Sequence, residues 1–469
     1  MCGIAGIAYE DPQHRPEIRL VEDMCEAIRH RGPDERGLHV AAGIGLGFRR
    51  LSIVDVKGGH QPLFNEDETI AVICNGEIYN YRELRAALVQ KGHRFSTGTD
   101  VEVIVHLYEQ YGEGFLSRLR GMFALAVWDE QRRRLLIARD RLGIKPLYYT
   151  FLPTGLAFAS EIKALLTIPG VTAEPDLAAF DTYLSHRFVP APATLFRGIR
   201  KLEPGHYLTY SNGHASDRVY WRLPTPVETS RDGHWTEDDY AGLLLSLLDG
   251  TVAQHLQGDV PVGLFLSGGV DSNALLALAA RHVDYQIPTF SLGFRGATGP
   301  HPGFNELDTT RRLAARFDTW HTETTITPGD VPPALPDMIR SLEEPLGDPS
   351  IIPLHFISRV ASRHVKAVLS GEGADELFAG YDVYRTAEAT AALRFLPSWI
   401  RNHLLAPLAR AIPADWRGRN LLQRVTAPVP SWSRGVGFYL FRGREGAHLL
   451  PRHGPLGTCR PEYTGQPRE

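Results

Sequence analysis

Two hydrophobic rhythms run along this chain, and one sheet cannot satisfy both. Up to about residue 210 the dominant rhythm has a period of two. Phe123, Leu125 and Val127 alternate, residues 129–133 turn, and 135–139 runs back as a second strand. Residues 70–75 read as a buried strand, and another hairpin turns at Pro153-Thr154-Gly155. Helical spacing interrupts this pattern at Tyr81–Gln90, where Leu84 and Leu88 share a face. It returns where Val101, Ile104, Val105 and Tyr108 recur at i, i+3, i+4, i+7, with Asp100 in the N-cap position. From about residue 239 the order becomes helix, strand, helix. Helical stretches at 240–256, 272–282 and Leu307–Arg316 separate short apolar strands at 260–266, 289–294 and 366–369. Alternation of that kind predicts a parallel sheet covered on both faces.

Between the two regimes, residues 211–238 are polar and turn-rich, and the linker is placed there. Four segments follow: a first domain over 2–210, the linker over 211–238, a second domain over 239–450, and a tail over 451–469. The tail is rich in Pro and Gly, has no periodicity, and is expected to be irregular. A length of 469 residues accommodates two large domains, each with a real core.

Charge and composition exclude several functions. The net charge is −4, and the densest basic run, Arg132-Arg133-Arg134, reads as a hairpin tip. A nucleic-acid partner is therefore not expected. No apolar run approaches the roughly 18 residues that span a bilayer. The apolar start lacks a basic segment and is too short for a secretion signal, so a cytoplasmic protein is expected. The four cysteines, Cys2, Cys25, Cys74 and Cys459, are too sparse for a disulfide framework. No CxxC pair occurs, which argues against a structural zinc site. Cys25 and Cys74 read as small buried hydrophobes.

Cys2 differs from the other three because it follows Met1. Removal of the initiator leaves a residue carrying both a thiol and a free α-amine. That amine has an ordinary pKa of about 7.7–8.0 and can serve as a base near neutral pH. Nucleophile and base then share one residue. The stretch Met1-Cys2-Gly3-Ile4-Ala5-Gly6-Ile7 reads as a strand with glycines beside the nucleophile. Downstream stand His30-Arg31-Gly32-Pro33-Asp34, Arg50-Leu51-Ser52-Ile53-Val54-Asp55, Asn75-Gly76-Glu77-Ile78-Tyr79-Asn80 and Thr97-Gly98-Thr99-Asp100. Together these motifs resemble the class II glutamine amidotransferase domain, an N-terminal-nucleophile hydrolase. The resemblance implies an α+β fold, an αββα sandwich, over nearly all of residues 1–200.

It also implies roles for the motif residues. Glutamine is a zwitterion, so its site needs a cation and an anion. Arg50 suits the carboxylate because its fork bonds bidentately. Ile53 and Val54 line the same site, and Asp100 with Gly76 and Glu77 suits the ammonium. The Asn75 side-chain amide and the Gly76 N–H are the expected donors to the oxyanion that thiolate attack creates.

The second domain carries its own signature. The strand at 260–266 runs into Ser267-Gly268-Gly269-Val270-Asp271-Ser272 and then a helix. A glycine-rich turn at a helix start offers backbone N–H groups to an anion, and no Walker A loop is present. The motif resembles the PP-loop of ATP pyrophosphatases of α/β parallel-sheet fold, which split ATP to AMP and pyrophosphate. Gly268 and Gly269 admit the phosphates, Ser267 and Ser272 donate hydroxyls, and Asp271 is suited to Mg²⁺. Ser370-Gly371-Glu372-Gly373-Ala374-Asp375-Glu376-Leu377-Phe378-Ala379-Gly380-Tyr381 closely resembles a motif of the asparagine synthetase family. By that resemblance Ser370, Gly371 and Glu372 contact ATP, Glu372 also faces the activated carboxylate or the incoming ammonia, and Asp375 shares Mg²⁺ with Asp271. Leu266 and Leu292 are the expected adenine contacts. Glu343-Glu344-Pro345-Leu346-Gly347-Asp348-Pro349-Ser350 is a candidate lining of the acceptor site.

The resemblance to glutamine-hydrolysing asparagine synthetases spans residues 1 to about 385. It implies that glutamine is hydrolysed at Cys2, that ATP adenylates a carboxylate, and that ammonia passes between the sites to form an amide. Beyond residue 385 the family's R-x-P-x-L-D motif and its phosphate-contacting lysine are not found. The second domain is therefore expected to be incomplete. Aspartate is the expected acceptor. Another carboxylate, such as a sugar acid, and glutaminase activity alone remain open alternatives, and so does a homodimer.

Overall fold

The computed structural model describes residues 1–224, 235–296, 305–381, 384, 396–412, 422, 425 and 426. The first module is built on two six-stranded antiparallel sheets. Strand β1 (Gly3–Tyr9) is followed by helix α1 (Ile18–Ala27) and the hairpin β2 (Glu35–Ala41) and β3 (Ile44–Arg50). Next come β4 (Leu63–Phe64), β5 (Ile70–Ile78), and helices α2 (Tyr81–Gln90) and α3 (Glu102–Tyr111). Strands β6 (Gly121–Asp129), β7 (Arg134–Arg139), β8 (Tyr148–Leu152) and β9 (Gly155–Ala159) precede helices α4 (Ile162–Leu165) and α5 (Leu177–His186). Strands β10 (Ile199–Lys201), β11 (His206–Ser211) and β12 (His214–Val219) close the module. The first sheet has the order β10-β8-β9-β1-β3-β2 and the second β12-β11-β7-β6-β5-β4.

Strand parity builds the layers. In β6, Phe123, Leu125 and Val127 face a core shared with Val103, Ile104, Leu107 and Tyr108 of α3. The intervening Ala124 and Ala126 face the other way, into a core shared with Ile4, Phe48 and Phe158 of the first sheet. In β1, Ala5 and Ile7 turn outward onto Val21 and Met24 of α1, Ile28 just after it, and Ile162 of α4. Three apolar cores therefore separate four layers, helix–sheet–sheet–helix, as the αββα expectation requires. Small residues on the inner faces let the two sheets approach.

Two expectations need correction. Asp100 does not cap α3. That helix begins at Glu102 with Val101 as its N-cap, and the Asp100 carboxylate instead accepts the Ile78 N–H at 2.7 Å. Nor does the linker begin at 211. Residues 211 and 214–219 pair as the β11–β12 hairpin at the edge of the second sheet, so the first module runs past residue 219.

The second module begins with helix α6 (Glu237–His255), which a reciprocal Thr236–Asp239 capping box starts. Then follow β13 (Val262–Phe265), α7 (Val270–Ala279), β14 (Pro288–Phe294), α8 (Leu307–Arg316) and β15 (Trp320–Ile326). Helices α9 (Val331–Ser341) and α10 (Ile351–Ala361), strand β16 (Ala367–Leu369) and helix α11 (Ala374–Phe378) complete its main part. The four strands are parallel and lie in the order β15-β14-β13-β16. The order reverses between β13 and β16, and the carboxyl ends of two such neighbours are where open α/β sheets place a ligand. The tail at 451–469, Cys459 and the end of the second domain lie outside the described residues.

Candidate functional site

Cys2 sits one residue ahead of β1, which is paired to β3 on one side and β9 on the other. The thiol is therefore fixed by a strand with neighbours on both edges. Its Sγ accepts the Leu51 N–H at 3.4 Å, and the Leu51 carbonyl lies 3.6 Å away. Arg31 Nε donates to the Cys2 carbonyl at 3.0 Å, and its Nη1 donates to Glu161 at 2.7 Å.

Burial pushes the Cys2 thiol above its ordinary pKa. The Leu51 N–H, the terminal amine and Lys145 work against that, while Glu77 adds to it. The α-amine is lowered to about 6, by burial first and also by the charges of Arg31 and Lys145. That nitrogen belongs to Met1, one residue ahead of the amine that Cys2 would carry once Met1 is gone.

Arg50 closes β3 and is 4% exposed. Its Nη1 reaches both Glu35 oxygens at 3.2 and 3.3 Å, and its Nη2 donates to the carbonyls of Val54 and Asp55 at 3.2 and 2.6 Å. Ile53 and Val54 thus belong to a loop folded back onto the guanidinium. Asp55 ties this loop to the next motif by accepting the Gly98 N–H at 2.7 Å. Gly59 marks where the two meet: a Cβ there would lie 2.7 Å from Arg50 Nη2 and 3.0 Å from Thr99 Cβ.

Strand β5 carries Asn75, Gly76 and Glu77. Asn75 is 1% exposed, and its Nδ2 has no hydrogen-bond partner among the described residues. An unpaired buried amide donor is costly, roughly 1–3 kcal/mol, and such groups concentrate where a ligand is meant to satisfy them. Gly76 must be glycine, because a Cβ would fall 2.3 Å from the Met122 carbonyl. Burial, and then the charge of Asp100, push Glu77 up to about 8. Burial likewise raises Asp100, to about 6, against the N–H of Ile78.

In the second module the two signature loops leave adjacent strands. Ser267-Gly268-Gly269 leads from β13 into α7, and Ser370-Gly371-Glu372 leads from β16 toward α11. The loops touch: a Cβ on Gly371 would lie 3.0 Å from Asp271 Cβ. Ser267 Oγ and Ser272 Oγ are 2.9 Å apart, so the hydroxyls brace the turn from inside. The Gly268 N–H donates to Glu306 Oε2 at 2.8 Å, which shows that this amide takes an anionic oxygen. Leu266 is buried at the end of β13 and Leu292 is half-buried in β14. Asp271 stands in the first turn of α7 and Asp375 in the first turn of α11, both partly buried, and hard oxygen donors of this kind fit Mg²⁺.

Glu343 and Glu344, expected near the acceptor, face the first module instead. Glu343 pairs with Lys163 at 2.7 Å and Glu344 with Lys201 at 2.5 Å, while Leu195 N–H donates to Glu344 at 2.6 Å. The seam continues through Asp34 and Lys366 at 2.5 Å, Gly347 N–H to the Arg187 carbonyl at 2.8 Å, and Asp259 N–H to the Ile53 carbonyl at 3.0 Å.

Sequence reasoning missed Lys145, which is 5% exposed in a loop after β7 and whose charge reaches both Cys2 and Glu77. A lysine in the apolar stretch Leu142–Tyr149 was the available signal. Arg31, in the motif His30–Asp34, has a role the sequence alone does not suggest: it bonds the Cys2 carbonyl.

The glutamine amidotransferase domain model matches residues 1–221, and the asparagine synthase model matches residues 243–449. An asparagine synthetase (glutamine-hydrolysing) of Bacillus subtilis is 40% identical over 433 residues, covering 92% of this chain and 66% of its own. A protein of Mycobacterium bovis named as a putative asparagine synthetase (glutamine-hydrolysing) is 37% identical, covering 90% of this chain and 67% of its own. One so named from Methanocaldococcus jannaschii is 32% identical, covering 86% and 79%. The chain spans about two thirds of the length of the first two.

Proposed function

The chain belongs to the glutamine-hydrolysing asparagine synthetase family, and from that premise we propose that it amidates a carboxylate, most simply aspartate, using glutamine as nitrogen donor and ATP as activator. The observation that carries this reading is the pairing of two signature loops on neighbouring parallel strands, in one chain with a terminal thiol held by a backbone N–H.

The α-amine of Cys2 accepts the thiol proton, and Sγ attacks the glutamine side-chain amide. The oxyanion draws on Asn75 Nδ2 and the Gly76 N–H. The leaving nitrogen takes a proton and departs as ammonia, and water then releases glutamate from the thioester. An incoming substrate carboxylate replaces the long Glu35 contacts on Arg50, and the substrate ammonium faces Glu77 and Asp100.

At the second site the amides of Gly268 and Gly269 and the hydroxyls of Ser267 and Ser272 receive phosphate oxygens, with Leu266 and Leu292 against the base. Asp271 and Asp375 would hold Mg²⁺, which neutralises phosphate charge when bound. Ser370, Gly371 and Glu372 border the acyl adenylate that ammonia attacks. Amide, AMP and pyrophosphate are the products. The ATP–pyrophosphate exchange reaction is the test. Exchange that depends on aspartate supports the full reading, exchange only with another carboxylate such as a sugar acid reassigns the acceptor, and no exchange leaves glutaminase activity alone.

A pH dependence follows from the paired carboxylates. Both hold their protons to higher pH than an exposed acid, so a cation binding beside them displaces protons. Glutamine binding is expected to release protons between about pH 6 and 8. kcat/KM for glutamine is expected to fall as the pH drops through about 6. Calorimetry in buffers of different ionisation heat measures the release, and proton uptake would exclude this placement of the ammonium. Without glutamine the native state retains protons that the unfolded chain has lost. These groups therefore stabilise the fold most at low pH, and that contribution fades as the pH rises to about 8.

A further inference from the structure

On the outer face of the second sheet, away from both signature loops, four metal-ligating side chains converge. They are Glu66 in the turn between β4 and β5, His93 in the loop after α2, and His106 and Glu109, which share a face of α3 at i and i+3. One ligand atom from each lies within 4.8 Å of all the others. Three separations are shorter: His93 Nδ1 to Glu109 Oε2 at 3.4 Å, His106 Nδ1 to Glu66 Oε2 at 3.5 Å, and His93 Nδ1 to Glu66 Oε1 at 3.9 Å. Four ligands at tetrahedral angles with bonds of 2.0–2.1 Å stand about 3.4 Å apart. The cluster therefore needs only small side-chain rotations to close on an ion.

The second observation is His106 itself. Its side chain is 1% exposed, and among the described residues neither ring nitrogen has a hydrogen-bond partner. A buried imidazole with both nitrogens unpaired is rare without a ligand to receive them. Its surroundings suit a metal-bound tautomer. Nε2 points toward Glu102 Oε1 at 3.8 Å while Nδ1 faces the cluster. Glu102 itself accepts the backbone N–H groups and hydroxyls of Ser96 and Thr97, which fixes its carboxylate. His93 has Nε2 3.2 Å from Gln110 Oε1 and Nδ1 toward the carboxylates. An imidazole oriented by an oxygen on its far nitrogen, as His93 is, is the usual support of a metal site. The carboxylates are braced too: the Arg94 N–H donates to Glu66 at 2.7 Å and Asn65 Nδ2 to Glu109 at 3.3 Å.

We propose that Glu66, His93, His106 and Glu109 bind one divalent zinc-class ion in a closed, structural site. The donor set of two imidazoles and two carboxylates selects zinc over calcium or magnesium, which take six or more oxygens. The absence of CxxC pairs, which argued against structural zinc, does not bear on a site without cysteine. The site fastens three segments together. The loop between His93 and Glu102 contains Thr97-Gly98-Thr99-Asp100, so the ion anchors the base of that loop. The metal site does not depend on the glutamine reading, and its test is read in metal content rather than turnover.

The test uses the full chain without a histidine tag, stripped with chelator, reloaded with Zn²⁺ and passed through gel filtration. The expected result is one zinc per chain by elemental analysis, and a zinc-dependent rise in Tm. The same result is expected in Cys2→Ala, which removes the reactive thiol. His93→Ala and Glu109→Gln alter the more accessible ligands and spare the buried His106. Each is expected to weaken zinc binding by about 100-fold or more and to abolish the Tm rise, with an unchanged circular dichroism spectrum. No retained zinc, or zinc retained equally by both variants, overturns the proposal.

Discussion

Cys2→Ala is expected to lower glutamine hydrolysis by at least about 10⁴-fold, because the nucleophile disappears and nothing nearby can replace it. Cys25 is a buried residue of α1, and burial pushes its thiol to about 12. Cys74 is fully buried and its pKa is raised well above the ordinary value, again chiefly by burial. Neither can supply a thiolate at neutral pH. Amide formation from added ammonia should survive, since the nucleotide loops lie on a different sheet. Glutamate release and ammonia-driven product are measured side by side. Loss of both would sink the two-site reading. The same logic applies to the terminus: an intact mass that retains Met1 in fully active protein would exclude the Cys2 amine as base.

The second large effect belongs to Asn75. Removing its side-chain amide should reduce kcat for glutamine hydrolysis by about 10²–10³-fold, the usual consequence of losing one oxyanion donor. The KM for glutamine should change little, because the donor acts on charge that develops only in the transition state. Nδ2 has no partner to lose in the free protein, so Asn75→Ala should not leave a new unpaired group behind. Steady-state kinetics separate the outcomes. A raised KM with unchanged kcat would place Asn75 in ground-state binding instead.

Much of this was legible in the sequence because period and position carry it. The alternation at Phe123, Leu125 and Val127 gave β6, and the short runs ahead of Ser267 and Ser370 gave two parallel strands. Other features were hidden for physical reasons. Asp100 stands one residue too early to cap α3, and its proximity to Ile78 depends on a contact across 22 positions. The polar strand His214–Val219 reads as linker because one edge and most of its side chains meet water. Glu343 and Glu344 look like substrate ligands in sequence, and only the packing of two modules reveals Lys163 and Lys201 opposite them. His106 lies off the stripe of Val101, Ile104, Val105 and Tyr108, so the helical period reads it as a solvent-facing polar residue, and only the fold shows that it is buried.

The seam between the modules has a mechanical meaning. Apolar faces can slide by a side chain and remain favourable, whereas a charged hydrogen bond has one good length and direction. Lys163, Lys201, Asp34 and the Arg187 carbonyl act as dowels set in different places, and together they admit a single heading. The heading of one module on the other is thereby held by joinery rather than by glue.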